Sequence, residues 1–429
     1  MFENYNIRGS IKMENLMETV HKMSGVCECG VDHKTAVKDI RIGSRISEEL
    51  GDILRANEFA ERLLIVGDRK TVAAAGAFEK SLSGYRKEYH IFDDLRVAEM
   101  RHVELIEEII RGRDISVLAI GTGSIHDPCR LACARQDKKL CLFATAPSMD
   151  GFASYSSPIV DQGFKQSYPA KSPEVIIGDT RILAKSPVEL KSAGFGDMMA
   201  KYVGLCDWKI SSLLSGEIYC PKVALLTRNA VDRLINMADK VTHEDEDTAG
   251  EIFASLIKTG LGMSFTQNSR PASGSEHIIA HLIECLQLKD GIIPNYHGED
   301  IGVCTLEMLE YYRKLTNPKT IHAKKEMVDW DDVYAFYGDM ADNVRILNTP
   351  DTITDQVTPE DLEKNWAEIR KIVRSVPSAE ECRAAMNKAK CKLTVEDIGK
   401  EPEFFQNCVK YSPYMRRRLT LLRLKDMII

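Results

Sequence analysis

Three histidines and one aspartate, carried on three separate segments, hold most of the chemistry that this sequence offers. Ser273-Gly274-Ser275-Glu276-His277-Ile278-Ile279-Ala280-His281 opens a helical pattern with Ser273 or Ser275 available as its cap. His277 and His281 are four apart and share one helix face, so two imidazoles can approach one point. Pro294 is expected to end that helix, and His297 begins the next one in Asn295-Tyr296-His297-Gly298-Glu299-Asp300. In Ala193-Gly194-Phe195-Gly196-Asp197-Met198-Met199, Asp197 projects from an early helix turn. An aspartate with two imidazoles is a mixed oxygen and nitrogen set, open to Zn, Ni or Fe(II), with room left for water or substrate. A single histidine, or an i, i+4 pair, is more often an ordinary helix residue; it is the combination that points to a metal.

A second group of residues suits a nucleotide. The apolar run 115–120 leads directly into Gly121-Thr122-Gly123-Ser124-Ile125-His126-Asp127 and then a helical stretch. Glycines there permit close backbone approach to a pyrophosphate, and the free N–H groups of a helix start attract it. Pro128 is expected in the first turn of that helix. Taken alone, a G-x-G is an ordinary strand-to-helix turn. Asp68, at the end of the apolar run 63–67, supplies a carboxylate for an adenosine ribose, which favours NAD. The adjacent Arg69 and Lys70 can neutralise a 2′-phosphate, so NADP stays open. A third apolar run, 140–144, ends in Thr145-Ala146-Pro147-Ser148-Met149-Asp150-Gly151. Two hydroxyls and a carboxylate thus stand at a strand's carboxyl end, where open α/β sheets bind ligands.

These groups need elements to position them. Residues 34–180 alternate short β-branched runs (36–42, 62–66, 88–92, 115–120, 140–145 and 174–177) with helical patterns at 47–56, 72–82 and 99–111. That order predicts a nucleotide-binding α/β domain with a mostly parallel sheet, over 1–186. From 187 to 429, apolar residues recur at three- and four-residue spacing, which predicts an all-helical domain for metal and substrate. Breaks are expected at 221–229, 268–274 and 348–358. The run Arg416-Arg417-Arg418 reads as a solvated helix face.

At 429 residues the chain is long enough for two such domains. Its net charge of −7 argues against a nucleic-acid partner, while leaving room for a local basic pocket for one small anion. No apolar run is long enough to span a bilayer, and the polar start 1–10 lacks a signal-peptide core, so a cytoplasmic protein is expected. Twelve scattered cysteines form no disulfide framework and read as reduced thiols. Cys27, Cys29 and His33 in CECGVDH look like part of a zinc knuckle; with no second ligand pair nearby, a polar hairpin is the expectation.

Six segments, in order, carry a family resemblance: GTGSIHD, TAPSMDGFAS, GFKQSYPA, AGFGDMMAKY, RPASGSEHIIAH and HGEDIG. They resemble the motifs of bacterial and archaeal sn-glycerol-1-phosphate dehydrogenases, members of the iron-containing alcohol dehydrogenase and dehydroquinate synthase superfamily. The resemblance runs from about Cys27 to His297 and more loosely beyond, and it implies a dehydroquinate synthase-like fold. It implies NAD or NADP contacts at Asp68, Gly121, Gly123, Ser124, Ile125, His126, Asp127, Thr145, Ala146, Pro147, Ser148 and Ser154. It also implies one divalent metal (Zn, Ni or Fe) on Asp197, His277 and His297, with Asp150, Asp197 and His281 facing a small phosphorylated polyol. Arg130 stands where relatives carry a lysine, and His126 and Pro128 also depart from the pattern. For the substrate phosphate, Lys165 and Lys201 are the nominated cations. A homodimer or larger assembly is the common state of such folds.

Overall fold

The structure is a computed structural model that describes residues 15–429; the polar start 1–10 lies outside the described residues. Six parallel strands form the central sheet: β3 (Asp39–Gly43), β4 (Arg62–Asp68), β5 (Arg86–Phe92), β6 (Ser116–Gly121), β7 (Leu140–Ala144) and β10 (Val175–Asp179). Two short antiparallel hairpins complete the β-structure, β1 (Gly25–Val26) with β2 (Asp32–His33), and β8 (Ser156–Asp161) with β9 (Phe164–Pro169). Across the sheet the order is β3-β10-β7-β6-β4-β5. From β4 the chain steps outward to β5, and from β6 it steps the other way to β7 and β10. The direction therefore reverses between β4 and β6, and at such a switch point the flanking loops part to leave a crevice at the carboxyl ends of the strands.

The inner strands read as apolar runs because both faces are covered. Leu64, Val66, Val117, Ala119, Leu140 and Leu142 face one core, shared with Val103, Ile106 and Cys129 of the flanking helices. Their neighbours Leu63, Ile65, Leu118, Ile120, Cys141 and Phe143 face another core with Leu54 and Phe78. From Val188 onward the chain is helical through most of its length, around a third core that includes Phe195, Trp208, Phe253 and Ile279. Leu16 and Val20 lie in that third core, and His33 stacks on Phe265 of the helix Glu246–Thr266. The segment ahead of β3 thus packs against the helical half.

One element is added to the expectations and three are corrected. The hairpin β8–β9 was not anticipated: its turn places Gln162 and Gly163 both at positive φ (49° and 79°), the backbone of a two-residue hairpin loop, but Ser, Pro, Lys and Gln interrupt the apolar alternation. Residues 221–229 are no break but the first part of the helix Pro221–Ile235, with the proline in its first turn, where a missing N–H costs nothing. The helix Ser275–Lys289 stops five residues short of Pro294, capped at Asp290. The helix Gly123–Arg135 starts a turn earlier than expected, which leaves Pro128 in its interior.

Candidate active site and metal centre

One wall of the site follows from the switch point. Asp68 ends β4, and its carboxylate caps the next helix by accepting the Thr71 N–H at 2.8 Å. Gly121 ends β6; a Cβ there would meet Ile125 Cγ1 at 2.8 Å, so the turn into the helix Gly123–Arg135 is as tight as glycine allows. Between these strand ends lies a cleft of about 840 Å³, lined among others by Asp68, Gly123, Ser124, Asp127, Thr145 and Ser148. Ala146, Asp150, Lys165 and His297 also line it. The Ile125 and His126 side chains do not: both are buried, Ile125 in the core beside the sheet and His126 edge-on against Phe152. Burial drives the His126 imidazole down to about 3, with Arg130 adding to the shift, so it is neutral. Gly121 and Pro147 lie behind the lining, and Ser154 opens onto the neighbouring chamber.

Arg130 holds this wall together from within. Fully buried, it donates to Asp127 Oδ1 at 3.0 Å, to the carbonyls of Gly151 and Ser156 at 2.9 and 2.7 Å, and to Ser154 Oγ at 2.7 Å. Its charge is spent on positioning the turn. Arg69 and Lys70 at the rim pair with Asp93 and Asp94 at 2.7 and 2.9 Å.

The floor comes from helices that touch backbone to backbone. A Cβ on Gly298 would fall 1.8 Å from the Ala193 carbonyl oxygen, and one on Gly196 would fall 2.5 Å from that of Gly298. Only glycine lets the helices Val188–Met199 and His297–Leu315 approach so closely, and the crossing sets Asp197 beside His297. The helix Ser275–Lys289 adds the other two imidazoles: the His277 ring lies 5.6 Å from that of His297 and 6.1 Å from that of His281, and the His281 and His297 rings stack at 5.4 Å.

Within this cluster, one donor atom each from Asp150, Asp197 and His277 lie within 4.8 Å of one another. His277 Nδ1 donates to Glu276 Oε1 at 2.7 Å, which leaves Nε2 free, 3.5 Å from Asp197 Oδ1. A carboxylate behind an imidazole fixes the ring and the tautomer that a cation needs. Asp197 Oδ2 accepts the Asp150 N–H at 2.9 Å, and its Oδ1 accepts Lys201 Nζ at 2.8 Å. Lys201 Nζ also lies 2.6 Å from Asp150 Oδ2, so one buried ammonium bridges the two carboxylates. Burial raises the Asp197 carboxyl, but Lys201, His277 and His297 outweigh it and hold the group far below the usual carboxylate range. Asp150 moves the opposite way, raised by burial and by Asp197. Burial and Lys165 keep His281 and His297 well below the usual imidazole range, and so neutral. Two carboxylates and an imidazole whose donor atoms gather this closely are a mixed oxygen and nitrogen set that fits a divalent cation.

A second chamber of about 540 Å³ opens beyond the metal cluster, lined by His277, His281, Ser154, Arg416 and Arg418. Asp150 and His297 line both this chamber and the larger cleft. Here the sequence expectation for Arg416–Arg418 is overturned. The run lies in an irregular stretch rather than on a helix: only Arg417 points outward, to Asp351 at 2.6 Å. Arg416 donates to the Lys165 carbonyl at 2.6 Å, and Arg418 to Ser273 Oγ at 2.8 Å and to Ser269 Oγ. Among the described residues neither has a carboxylate within ion-pair distance, whereas the nominated Lys165 is neutralised by Glu284 at 2.6 Å and Lys201 by the two aspartates. The arginine run itself was the available signal; what the sequence hid was that the chain end folds back over the helices. Glu276 was missed too, although its place beside His277 was visible.

Comparison with known proteins places this geometry. Residues 41–187 match the iron-containing alcohol dehydrogenase family. A glycerol-1-phosphate dehydrogenase [NAD(P)+] of Bacillus licheniformis is 32% identical over 312 residues, covering 71% of this chain and 77% of that protein. One from Geobacillus stearothermophilus is 27% identical over 423 residues, covering 96% and 98%. Among solved structures, sulfoacetaldehyde reductase from Bifidobacterium kashiwanohense in complex with NAD+ superposes with a TM-score of 0.60 at 16% identity, covering 92% of this chain and 96% of that one. An archaeal alcohol dehydrogenase from a Red Sea brine pool gives 0.61 at 13% identity, covering 92% and 94%. These last two likenesses concern the fold.

Proposed function

The chain belongs to the glycerol-1-phosphate dehydrogenase family of iron-containing alcohol dehydrogenases, and from that premise we propose that it interconverts dihydroxyacetone phosphate and sn-glycerol 1-phosphate with NAD(P)H and one divalent metal. In the reducing direction, which we take as the cellular one, the substrate carbonyl carbon gains a hydride and its oxygen a proton. The observation that carries this reading is the junction: Asp150 and His297 belong both to the cleft beneath the glycine turn and to the arginine-lined chamber, so cofactor and substrate meet over the same floor.

Asp197, His277 and His297 would hold the metal; the donor atoms that already converge are those of Asp197, His277 and Asp150, with the His297 ring 5.6 Å from that of His277. A divalent cation there supplies Lewis acidity toward the substrate oxygen, and Zn, Ni and Fe(II) all suit the donors. The dinucleotide would supply the hydride; Gly123 and Ser124, with Asp127, Thr145 and Ser148, are the cleft residues that would hold its diphosphate, and Gly121 shapes the turn from behind. Asp68 receives the ribose hydroxyls. Asp68 at the strand end and the pairing of Arg69 and Lys70 with Asp93 and Asp94 favour NADH over NADPH. Asp150 orients the primary alcohol, and neutral His281 passes the proton at the substrate oxygen. Arg416 and Arg418, rather than Lys165, hold the phosphate: they are the unpaired cations of the chamber, and two guanidinium forks match phosphate geometry.

The unpaired state of all twelve cysteines supports a reducing, cytoplasmic setting, and no helix among the described residues is long and apolar enough to cross a membrane. The sheet edge β5 presents exposed Tyr89 and Ile91, which supports an assembly of two or more copies. The deciding experiment follows NADH oxidation with dihydroxyacetone phosphate and, separately, dihydroxyacetone, before and after chelation and on adding back Zn, Ni or Fe(II). Metal-dependent turnover of the phosphate, with the unphosphorylated ketone weaker by about two orders of magnitude, is expected from losing two charge-assisted contacts. Equal rates on the two ketones would make this a polyol dehydrogenase without a phosphate requirement, and turnover unaffected by chelation would sink the metal assignment.

A further inference from the structure

The knuckle Cys27-Glu28-Cys29-Gly30 and the distant Cys220 are not used by the chemistry above. The hairpin β1–β2 folds Cys27, Cys29 and His33 toward one point; the turn is closed by the Gly30 N–H donating to the Cys27 carbonyl at 2.9 Å, with Gly30 at φ +87°, a backbone that favours glycine. The missing fourth group arrives from 193 residues away in sequence. Cys220, fully buried, caps the helix Pro221–Ile235 and places its Sγ 3.8 Å from Cys27 Sγ, too far for a disulfide. Cys29 Sγ lies 3.5 Å from His33 Nε2, and all four donor atoms fall within 4.8 Å of one another. Tetrahedral zinc, with Zn–S of about 2.3 Å and Zn–N of about 2.0–2.1 Å, requires S···S separations of about 3.8 Å and S···N separations of about 3.6 Å. The Cys27–Cys220 and Cys29–His33 gaps, 3.8 and 3.5 Å, match these values.

We propose that Cys27, Cys29, His33 and Cys220 bind a structural zinc ion, distinct from the metal of the cleft, that fastens the amino-terminal hairpin to the helical half. Two further observations agree. His33 Nδ1 donates to the Met23 carbonyl at 3.1 Å, which fixes the ring and turns the Nε2 lone pair toward the sulfurs. Three thiolates and one imidazole are a zinc set with no position left for water, hence structural rather than catalytic. Free cysteines that merely fill space have no reason to converge from elements so far apart.

The test uses the full chain, purified under reducing conditions from cells supplied with zinc and dialysed against a chelator that strips the cleft. Elemental analysis is expected to find one zinc per chain retained in the wild type and in His277→Ala, and lost in Cys29→Ser and in Cys220→Ser. Because Cys220 is buried and its variant can fail to fold, the second arm needs no variant: wild-type protein loaded with Co(II) is expected to show thiolate-to-cobalt charge-transfer absorption, which a cleft lined by no cysteine cannot produce. Loss of the ion is expected to lower Tm by several degrees. Wild-type protein without retained zinc, zinc unchanged in Cys29→Ser, no charge-transfer band, or a Cys27–Cys220 disulfide in freshly purified protein would each overturn the proposal. None of these readouts depends on the assigned enzymatic activity.

Discussion

The cluster in the cleft and the cluster at the hairpin are both gatherings of ligand-bearing side chains from segments far apart, yet they are built to opposite ends. At the cleft, oxygen and imidazole donors stand among a lysine, two aspartates and two chambers, so a bound cation would keep a face toward substrate. At the hairpin, three sulfurs and one nitrogen enclose their own centre, and His33 is nearly inaccessible to solvent. The contrast teaches that ligand type and vacancy, not proximity alone, separate a reactive centre from a fastening.

The strongest way to break that contrast is to remove a cleft imidazole. His277→Ala or His297→Ala should lower kcat/KM by about 10³-fold or more, with loss of the cleft metal by elemental analysis, because the Lewis acid contributes several kcal/mol to the transition state. Activity near wild type would show that the cleft cluster is as closed to chemistry as the hairpin. The second expectation concerns what enters the open face. Arg416→Ala or Arg418→Ala should raise KM for dihydroxyacetone phosphate by about 10- to 100-fold while leaving dihydroxyacetone kinetics nearly unchanged, since each removes a charge-assisted contact of about 1.5–3 kcal/mol; equal losses on both ketones would mean that the arginines only support the loops. Glu276→Gln should weaken cleft metal binding by about 10-fold or more in a competitive chelator titration, the usual cost of losing the carboxylate behind a ligating histidine. Asp68→Ala should shift the NADH/NADPH preference toward NADPH by about 10-fold, read from the two kcat/KM values. On the floor's packing, Gly298→Ala should lower Tm by at least a few degrees, because the added Cβ would sit 1.8 Å from the Ala193 carbonyl oxygen and main chain must move, and an unchanged Tm would mean that the helices can part.

Much of this architecture is legible in the sequence. The strands 62–68, 116–121 and 140–144 stand out because burial on both faces makes each a continuous apolar run, and the glycine turn follows from its place at the end of one. The histidine pair was readable from helical spacing. What was not legible required distant segments to meet. Nothing near Cys27 announces Cys220, and a run of three arginines reads as a solvated face until the chain end is seen to fold over Ser269 and Ser273. The β8–β9 hairpin escaped because its turn is Gln162-Gly163 and its strands carry polar residues toward the chambers.

Where two helices meet at Gly196 and Gly298, no side chain lies between them, and Gly194 sits as tightly against the Pro147 carbonyl on the sheet side. Substrate range in this scaffold therefore cannot be broadened from below, because any added bulk there displaces main chain. Selection for a longer or shorter substrate has its freedom in the outer wall, where Asn343, Ile346 and Leu347 line the arginine chamber and can exchange volume without disturbing the crossing.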